Sequence, residues 1–551
     1  MKAANFMKSL FITLFIMSIV LYSPVLGDIL YVPEEYPTIQ RAIFESFDGD
    51  VILVSDGIYY ECIQFYGKRI TVASYVWLDG EEGHISKTVI CGFRTDKPEN
   101  RSLVTFTGGE DYRSVLLGFT LRGGLGTLLF DGLVKAGGAI LCIDSSPSIL
   151  KNRIEMNCVS HPYIVMGSGM FIMNNLKHPL REPLLLQCNQ FFMNQANAGK
   201  TSFGGGLCIV GNANIVAQNN CFRENSSRAG GGIAVINSSP RFVSNIFDRN
   251  WAEVGGGAFL MKHGDGLGQD PINDVEGRSV LSELSEEISM NSMLDFIPKV
   301  DATPRIQPEL INCTVLHNYS TLYGGGLYSL NVRTKIMNCI IWENQAGIAS
   351  DQIGASGTID VTYSDIQGGW ADVPNTFNFD SDPNFFEPNS CYLCEDSPCI
   401  DAGNPHEEYF DPEDPERPGY ALRPAWGTVR NDVGAYGGPC ACSWSTSLTP
   451  EKVMGTSPGL GNLPETVELF QNYPNPFNPT TSISFSLDKP TLVELRIFDL
   501  QGKEVETLIS GEMSAGVHQV QWDASHKAGG VYLVQLNTPE TMQVKKMILV
   551  K

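Results

Sequence analysis

Short apolar runs alternate with Gly-rich and Asn-rich corners along most of the chain, and this pattern repeats. One unit begins with GGGLCIV at 204–210 and closes at Asn225, and the next begins with GGGIAVI at 230–236 and closes at Asn250. The last glycines of the two triplets are 26 residues apart. A period of this length, made of β-type runs without helical spacing, predicts a β-solenoid in which each repeat forms one coil. Each coil buries its apolar side only against its neighbours, so the ends need caps.

Asparagine recurs five positions apart at the end of the repeats, and we predict that these side chains form stacked corners. Asn tolerates the left-handed backbone region and can hydrogen-bond to the Asn of the next coil. The pairs are Asn152/Asn157, Asn189/Asn194, Asn220/Asn225 and Asn245/Asn250. The glycine triplets are expected to supply positive φ and close approach of neighbouring backbones. A ligand-binding role for the Asn pairs is the alternative.

The Gly-Gly-Gly triplets and the Asn-Cys-x-x-x-x-Asn rhythm resemble the right-handed parallel β-helix proteins of the pectin-lyase-like superfamily. The resemblance covers about 28–369 and implies the fold, whereas activity has to be argued from a site. It predicts an all-β chain built on a right-handed parallel β-helix, with a short helix at 36–43 that caps the first coil. A polar segment at 262–306 interrupts the period and is predicted to be an insertion on one side of the solenoid.

The first 27 residues have the pattern of a secretory signal peptide. Lys2 and Lys8 precede an apolar run at 10–21, and small or aliphatic residues precede Asp28. The apolar run is too short to cross a bilayer, and no other window of the chain is apolar enough. We therefore expect an exported mature chain that begins near Asp28 and has no transmembrane helix.

Residues 370–442 differ from the repeats and are predicted to be a Cys-containing end of the β-helix. The segments DPNFF at 382–386, SPCIDAGNP at 397–405 and RNDVGAYGGP at 430–439 resemble the end of bacterial surface β-helix proteins termed choice-of-anchor Q. That family is defined by its variable C-terminal anchors. A linker rich in Ser, Thr, Gly and Pro follows at 443–464.

Residues 465–551 are predicted to form a small immunoglobulin-like sandwich, because short alternating runs follow one another closely. Within it, FQNYPNPFNP at 470–479, IFDLQG at 497–502 and KKMILVK at 545–551 resemble the type A C-terminal sorting domain of type IX secretion. The resemblance implies contact with the secretion machinery and transport across the outer membrane of a Gram-negative-type bacterium. It also implies release from the cell or attachment to the cell surface.

Composition narrows the class of function. The chain has 551 residues, of which 43% are hydrophobic and 18% charged, so it is expected to be folded. The formal net charge of −23 excludes a nucleic-acid-binding class, since a phosphate-binding face needs a basic stripe. The eight histidines show no metal-ligand spacing. No metal site and no cofactor are predicted, although calcium binding by acidic side chains stays open.

Most of the fourteen cysteines fall into two groups. Those inside the repeats are expected to behave as small buried apolar residues. The second group lies in loop-like sequence and consists of Cys391, Cys394, Cys399, Cys440 and Cys442. Export to an oxidising compartment favours a disulfide cluster for this group, and a zinc site is the alternative.

Equivalent positions of neighbouring coils are expected to form outward ladders about 4.8 Å apart. The position two before the closing Asn carries Glu155, Phe192, Arg223, Asp248, Leu316 and Trp342. A lyase needs clustered carboxylates beside a basic group, and an inverting hydrolase needs two separated carboxylates. This ladder has neither, and the stacked pairs Arg223-Glu224 and Asp248-Arg249 are expected to neutralise each other. No catalytic residue is assigned.

Four residues of this ladder, Phe192, Arg223, Asp248 and Trp342, are candidates for a polymer-binding face. Aromatic rings can stack on sugars, and repeated coils add weak contacts along an extended chain. We therefore predict a secreted or cell-surface β-helix that binds polysaccharide or cell-surface glycan, or acts as an adhesin. The alternatives are a lyase or glycoside hydrolase for uronate-containing polymer, and a purely structural stalk.

Overall fold

The computed structural model describes residues 27–92, 101–174, 182–211, 213–262, 306–370, 376–386 and 391–441, together with most of 467–549. Contacts between Cα atoms divide the chain into two compact units, Met1–Thr449 and Pro450–Lys551. The predicted signal peptide before Gly27, nearly all of the predicted insertion and the predicted linker lie outside the described residues. The bounds of these segments stay predictions.

Parallel strands stack into three long sheets, and successive coils add strands to the sheets in turn. Sheet A contains β1 (Ile29–Val32), β2 (Val51–Val54), β5 (Thr71–Ser74), β8 (Val115–Leu117), β13 (Ser148–Leu150), β18 (Leu184–Gln187), β23 (Ile215–Gln218), β26 (Arg241–Val243), β30 (Glu309–Ile311), β34 (Thr334–Met337) and β38 (Ile359–Thr362). Sheet B contains β3 (Gly57–Tyr59), β6 (Thr88–Cys91), β9 (Thr120–Arg122), β14 (Arg153–Glu155), β19 (Gln190–Phe192), β24 (Cys221–Arg223), β27 (Ile246–Asp248), β31 (Thr314–Leu316), β35 (Ile340–Trp342) and β39 (Asp365–Ile366). Sheet C contains β4 (Ile63–Gln64), β7 (Val104–Phe106), β12 (Ile140–Ile143), β17 (Met170–Asn174), β22 (Leu207–Gly211), β25 (Ile233–Ile236), β29 (Ala258–Met261), β33 (Leu327–Leu330) and β37 (Ile353–Ala355). The predicted right-handed parallel β-helix is confirmed.

Between sheet B and sheet C the coils carry additional short strands, which we call the side strands. They are β10 (Thr127–Leu129), β11 (Val134–Ala136), β15 (Cys158–His161), β16 (Ile164–Met166), β20 (Gln195–Ala198), β21 (Thr201–Phe203), β28 (Trp251–Val254), β32 (Tyr319–Tyr323) and β36 (Gln345–Ala346). Most of them pair in parallel with the equivalent strand of the next coil. Their apolar residues pack against sheet C in one cluster, so the side strands form a second wall of the solenoid.

Helices are short and lie mainly near the N-terminal end. The described ones are α1 (Ile39–Glu45), α2 (Val76–Asp79), α3 (Gly83–Lys87) and a 3₁₀ turn (Glu407–Tyr409). Helix α1 buries its apolar face and is the predicted capping helix. It begins later than the predicted start at 36 because Thr38 is its N-cap, with extended backbone and a hydroxyl that accepts from the N–H of Arg41 (3.1 Å). Lys68 Nζ donates hydrogen bonds to three backbone carbonyls at the C-terminal end of α1.

Aromatic rings stack in register inside the coils. Phe191, Phe222 and Phe247 occupy the same position of β19, β24 and β27. Their ring centroids are 4.7 and 5.1 Å apart, and all three rings are fully buried. Burial of each ring contributes roughly 2–3 kcal/mol, so the side chains favour the same register as the backbone hydrogen bonds.

Ladders of buried asparagine run along the corners on both sides of sheet B. Asn194 Nδ2 donates to Asn225 Oδ1 (2.9 Å), and Asn225 Nδ2 donates to Asn250 Oδ1 (3.0 Å). Asn225 Nδ2 also donates to the carbonyl of Phe191 (2.8 Å), so the predicted stacked corners are confirmed. The left-handed conformation belongs to the residue before the laddered Asn, for example Glu224 with φ 56°. The sharp bend at that residue aims the following Asn side chain at the next coil.

The glycine triplets have both of the roles expected from the sequence. The first glycine of a triplet adopts positive φ, as in Gly204 (65°) and Gly230 (70°). The second lies against the next coil, since a Cβ on Gly231 would be 2.6 Å from the carbonyl oxygen of Gly256. A side chain at this position would push neighbouring coils apart.

The second unit is a sandwich of two antiparallel sheets, as predicted. One sheet contains β40 (Glu468–Leu469), β41 (Thr480–Leu487) and β44 (Gly516–Asp523), and the other contains β42 (Thr491–Asp499), β43 (Glu504–Met513), β45 (Gly530–Asn537) and β46 (Met542–Leu549). Val493, Leu495 and Ile497 are fully buried, whereas the alternating Glu494 and Arg496 are partly exposed. The two sheets share one apolar core, which includes Phe485, Trp522, Val534 and Leu536.

Replacement of Asn225 by Ala is expected to destabilise the β-helix by about 3 kcal/mol, because the hydrogen bonds it donates are lost and the buried donors of Asn194 lose their acceptor. Chemical unfolding followed by circular dichroism measures the change. The control is Asn197→Ala, which alters an exposed Asn and is expected to change stability by at most about 0.5 kcal/mol. Equal stability of the two variants would contradict a structural role for the ladder.

Candidate functional site

The outward face of sheet C is a packing surface. Phe171, Cys208, Phe259 and Tyr328 point outward from it and are at most 3% exposed. They pack in one cluster with apolar residues of the side strands such as Phe203. From β12 to β33, the described outward residues of this sheet include no carboxylate, so a ligand site has to be sought elsewhere.

Sheet B carries the predicted outward ladder in the expected register. Phe192 pairs with Arg223, and Arg223 pairs with Asp248. Leu316 lies between Asp248 and Trp342. The structure therefore brings the four candidate residues of the polymer-binding face onto one row. Phe192, Arg223 and Trp342 are only partly exposed.

The described residues 376–386 and 391–441, which we call the end cap, pack over the later part of this row. Tyr392 and Tyr436 stack with their centroids 4.1 Å apart, and their apolar cluster includes Leu316 and has Trp342 packed against it. Leu316 and Asp248 are each only 1% exposed. The expectation of an open face at Asp248 therefore has to be corrected, because the chain returns to cover it.

Asp248 is the centre of a compact charge cluster. Its Oδ2 lies 2.9 Å from Arg223 Nε in an ion pair that lacks the angle of a hydrogen bond. The same oxygen accepts a hydrogen bond from Arg249 Nη1 (2.9 Å). Its Oδ1 is 3.0 Å from His317 Nδ1. The expected pairing of Arg223 with Asp248 is thus present, and the buried carboxylate is held by three cationic groups.

His317 connects this cluster to the surface. Its Nε2 lies 2.9 Å from Glu343 Oε2. The hydrogen bond to Asp248 raises the pKa of His317 above its ordinary value, and burial only partly opposes this effect. The raised pKa extends the protonated form of His317 toward higher pH, and the two ring nitrogens lie between two carboxylates.

Buried carboxyl groups hold the loops of the end cap together. Asp411 Oδ2 accepts from the N–H of Asp432 (3.0 Å), and Asp432 Oδ2 accepts from the N–H of Trp426 (2.7 Å). Burial raises the pKa of both groups, and it raises the pKa of Asp365 to about 7. Across the described ranges, no three His, Cys, Asp or Glu side chains are arranged to hold a metal ion.

The cysteines of the predicted disulfide cluster are Cys391, Cys394, Cys399, Cys440 and Cys442. Cys391 is buried in the apolar cluster of the end cap, whereas the Cys399 thiol donates to Asp365 Oδ2 (3.3 Å). Cys440 Sγ is 2.6 Å from Gln218 Nε2 on sheet A. Cys391, Cys394 and Cys399 form no disulfide with a described cysteine, and Cys442 lies outside the described residues. Their pairing stays a prediction.

Exposed aromatic residues lie one corner beyond sheet B, on the side strands. Trp251 is the first residue of β28 and Tyr319 the first of β32. They pair directly with each other and are 41% and 39% exposed. Gln345 of β36 continues the row. We call Trp251, Tyr319 and the two clefts beside them the aromatic corner.

The first cleft, of about 600 Å³, extends from Trp251 toward the earlier coils. Its polar lining consists of Ser160, His161, Asn197, Ser226, Ser227, Arg228 and Glu253. Arg228 Nε donates to Glu253 Oε1 (2.8 Å). Burial and the nearby charge of Lys135 lower the pKa of His161, so its neutral form is favoured.

The second cleft, of about 750 Å³, extends from Tyr319 toward the last coils. The side chains that line it include His317, Glu343, Gln345, Asp351, Gln352 and Trp370. Gln352 Nε2 donates to Gln367 Oε1 (3.0 Å), and the N–H of Ala346 donates to Asp351 Oδ1 (2.8 Å). The cleft therefore combines an aromatic wall with amide and carboxylate groups.

Sequence reasoning missed the aromatic corner, although a signal for it exists. In most coils the residue directly after the closing Asn is the first residue of a side strand. In successive coils this position carries Cys158, Gln195, Ser226, Trp251, Tyr319 and Gln345. Two adjacent aromatic residues at a repeated outward position are the signal. The sequence analysis did not predict the side strands, and without them this position cannot be recognised as the start of an exposed face.

Comparison with known proteins gives a family match within the second unit. Residues 471–551 match the family model of the secretion system C-terminal sorting domain. This match supports secretion by the type IX system and a cell-surface or secreted location in Bacteroidetes-type bacteria. No protein of the curated set matches the chain. The described part of the chain contains no helix that is long and apolar enough to cross a membrane.

Deletion of 465–551 is expected to leave the chain in the periplasm, because the sorting domain is the element that contacts the secretion machinery. Cell fractionation and immunoblotting of the culture medium, outer surface and periplasm measure the distribution. A reporter protein with residues 1–27 at its N-terminus and 465–551 at its C-terminus serves as the matched control and is expected to leave the cell. Surface or medium localisation of the truncated chain would contradict this role.

His317 is expected to make stability depend on pH. Its folded-state pKa lies above the value of about 6.5 for an unfolded His. Its stabilising effect is therefore complete below about pH 6.5 and is lost as the pH rises through the folded-state pKa. The free energy of unfolding of the wild type should therefore fall between about pH 6 and 8, and His317→Gln should make this fall smaller.

The measurement is chemical unfolding of wild type and variant at a series of pH values. His406→Gln is the control, because that side chain is 70% exposed. An unchanged pH profile in His317→Gln would show that the contact with Asp248 does not stabilise the folded state.

Proposed function

We propose that the chain is an exported β-helix protein that binds an extended polysaccharide at the aromatic corner. The observation that carries the proposal is the exposed, in-register pair Trp251 and Tyr319 between two polar clefts. The sorting-domain match at 471–551 supports a location where the protein meets extracellular polymers. The proposal retains the polysaccharide class expected from the sequence and moves the site from sheet B to the side strands.

The geometry of the solenoid favours a long ligand. Trp251 and Tyr319 lie on adjacent coils, and adjacent parallel strands are about 4.8 Å apart. Their rings therefore supply neighbouring apolar surfaces on which a sugar ring can stack. The clefts continue the same row in both directions, so several sugar units of one chain can make contacts that add.

The predicted row on sheet B is a weaker candidate. Trp342 packs against the apolar cluster of the end cap, and Asp248 is buried. The guanidinium carbon of Arg153 lies 5.8 Å from the ring centre of Phe192, so this ring already has a cationic partner. A polymer at this row would have to displace contacts that the chain makes with itself.

A lyase or glycoside hydrolase is the alternative, and one observation favours it. His317 lies between Asp248 and Glu343 at the edge of the second cleft. However, Asp248 is 1% exposed and paired with two arginines. It is therefore unavailable as a proton acceptor, and the raised pKa of His317 extends its protonated form toward higher pH. Because these groups are occupied with one another, we prefer binding to catalysis.

The double substitution Trp251→Ala/Tyr319→Ala is expected to weaken polysaccharide binding at least about tenfold, since aromatic anchors at the centre of a contact contribute more than 1.4 kcal/mol. Affinity electrophoresis in gels containing plant or bacterial polysaccharides measures retention. Trp77→Ala is the matched control, because Trp77 is 42% exposed and lies in α2.

Release of reducing or unsaturated ends is recorded in the same samples. Products formed by wild type would favour the enzyme. Retention that is equal in the double variant and in Trp77→Ala would contradict the aromatic corner as the binding site. A complete lack of retention would favour the structural stalk.

A further inference from the structure

We infer that the polysaccharide bound at the aromatic corner is uncharged and rich in hydroxyl groups, and is not a uronate or sulfated polymer. This inference rests on the proposed function and adds the substrate class. The basis is the pairing of charges around the two clefts. Recognition of a carboxylate or sulfate requires a cation whose hydrogen-bonding groups are available.

Among the described residues that line the first cleft, Arg228 is the one cation of fixed charge, and it is paired with Glu253, whereas Lys135 acts on His161 from outside the lining. Arg228 Nε donates to Glu253 Oε1 at 2.8 Å, and its Nη1 donates to the carbonyl of Lys200. His161 in the same cleft favours its neutral form. An acidic sugar that approached Arg228 would meet the Glu253 carboxylate beside it, and separating the two side chains would leave a partly buried carboxylate without its partner, which is costly.

The cations near the second cleft are occupied as well. Arg249 donates to Asp248, and His317 lies within hydrogen-bonding distance of both Asp248 and Glu343. Both arginines of the cluster therefore share one carboxylate with the imidazole. Glu224 also lies close to both arginines, so the cluster holds three carboxylates against three cations and no positive charge is left over for a ligand.

Negative charge dominates the lining instead. Three carboxylates, those of Glu253, Glu343 and Asp351, line the clefts, against one arginine and one imidazole with a raised pKa. The Glu343 side chain is 58% exposed, and the whole chain has a formal net charge of −23. A polyanion would meet repulsion both at the site and over a longer range, which slows association.

The remaining lining groups suit sugar hydroxyls. Ser160, Asn197 and Gln345 line the clefts with exposed side chains. Hydroxyl and amide side chains can both donate and accept hydrogen bonds, as sugar hydroxyls do. The faces of an uncharged sugar ring are apolar. The two aromatic rings supply an apolar surface on which such a face can stack. An uncharged glycan can therefore stack on the rings and form hydrogen bonds at the aromatic corner without breaking an ion pair.

The test uses the full mature chain and four polymer probes in native affinity gels: hydroxyethylcellulose and dextran as neutral probes, and polygalacturonate and dextran sulfate as acidic probes. Retention by at least one neutral probe is expected, together with no retention by the acidic probes. Binding should be equal at about 0.05 and 0.5 M salt, since ion pairs with the ligand are not involved. Trp251→Ala/Tyr319→Ala should abolish the retention.

The substitution Glu253→Gln provides a second variant that leaves both rings in place. It frees Arg228 from its carboxylate and is expected to create salt-sensitive retention by polygalacturonate that wild type lacks. Asn197→Ala in the same cleft is the control and should not create it.

The outcomes separate this inference from the proposed function. Retention of wild type by an acidic probe, lost in the double aromatic variant, would overturn the neutral class but keep the aromatic corner as the binding site. Calcium-dependent retention by polygalacturonate would also overturn it, by showing that a cation bridges the carboxylates. Retention that is unaffected by the double variant, or absent with all four probes, would overturn the proposed function and this inference with it.

Discussion

Each coil of this solenoid leaves the N–H and C=O groups of its strands to be satisfied by the coils before and after it, and the rest of the structure depends on that requirement. Buried backbone groups have to be paired, so neighbouring coils must stay in register along all three sheets. The asparagine ladders impose the same register at the corners, since Asn225 is tied to Asn194 and Asn250 by side-chain amides. The stacked rings of Phe191 and Phe222 favour the same register through their packing.

Strict register turns positions along the sequence into rows in space, and this decides what the surface can do. A row is useful for binding only if it stays exposed. The sheet C row is covered by the side strands, and the later part of the sheet B row is covered by the end cap. The row that begins with the residue after the closing Asn remains open at Trp251 and Tyr319. The location of the candidate site is thus a consequence of what covers the other faces.

The charged groups near the aromatic corner pair with one another. Asp248, with Arg223, Arg249 and His317 around it, forms a closed cluster that a ligand would have to disrupt. Clusters of this kind hold neighbouring coils together and leave the exposed rings and neutral side chains to make external contacts.

The sequence alone determined the solenoid, its ladders and the sandwich, because these depend on local rules that recur in each repeat. A glycine triplet, a laddered Asn or the alternation of Val493, Leu495 and Ile497 with polar residues can be recognised without knowing what lies nearby. The register of Phe192, Arg223 and Asp248 was predictable for the same reason. The motifs at the C-terminal end also pointed correctly to a secretion sorting domain.

Only the tertiary structure decided which outward row is open. Parts of the end cap lie more than a hundred residues from the strands they cover, as the contact between Asn312 and Asn431 illustrates, and no periodic pattern in the sequence predicts such contacts. Likewise, the side strands have no counterpart in the three-sheet repeat, so the outward position of Trp251 and Tyr319 follows from packing against the neighbouring coil. Exposure is a property of the whole folded chain, whereas register is a property of each repeat, and for that reason the fold was predictable and the site was not.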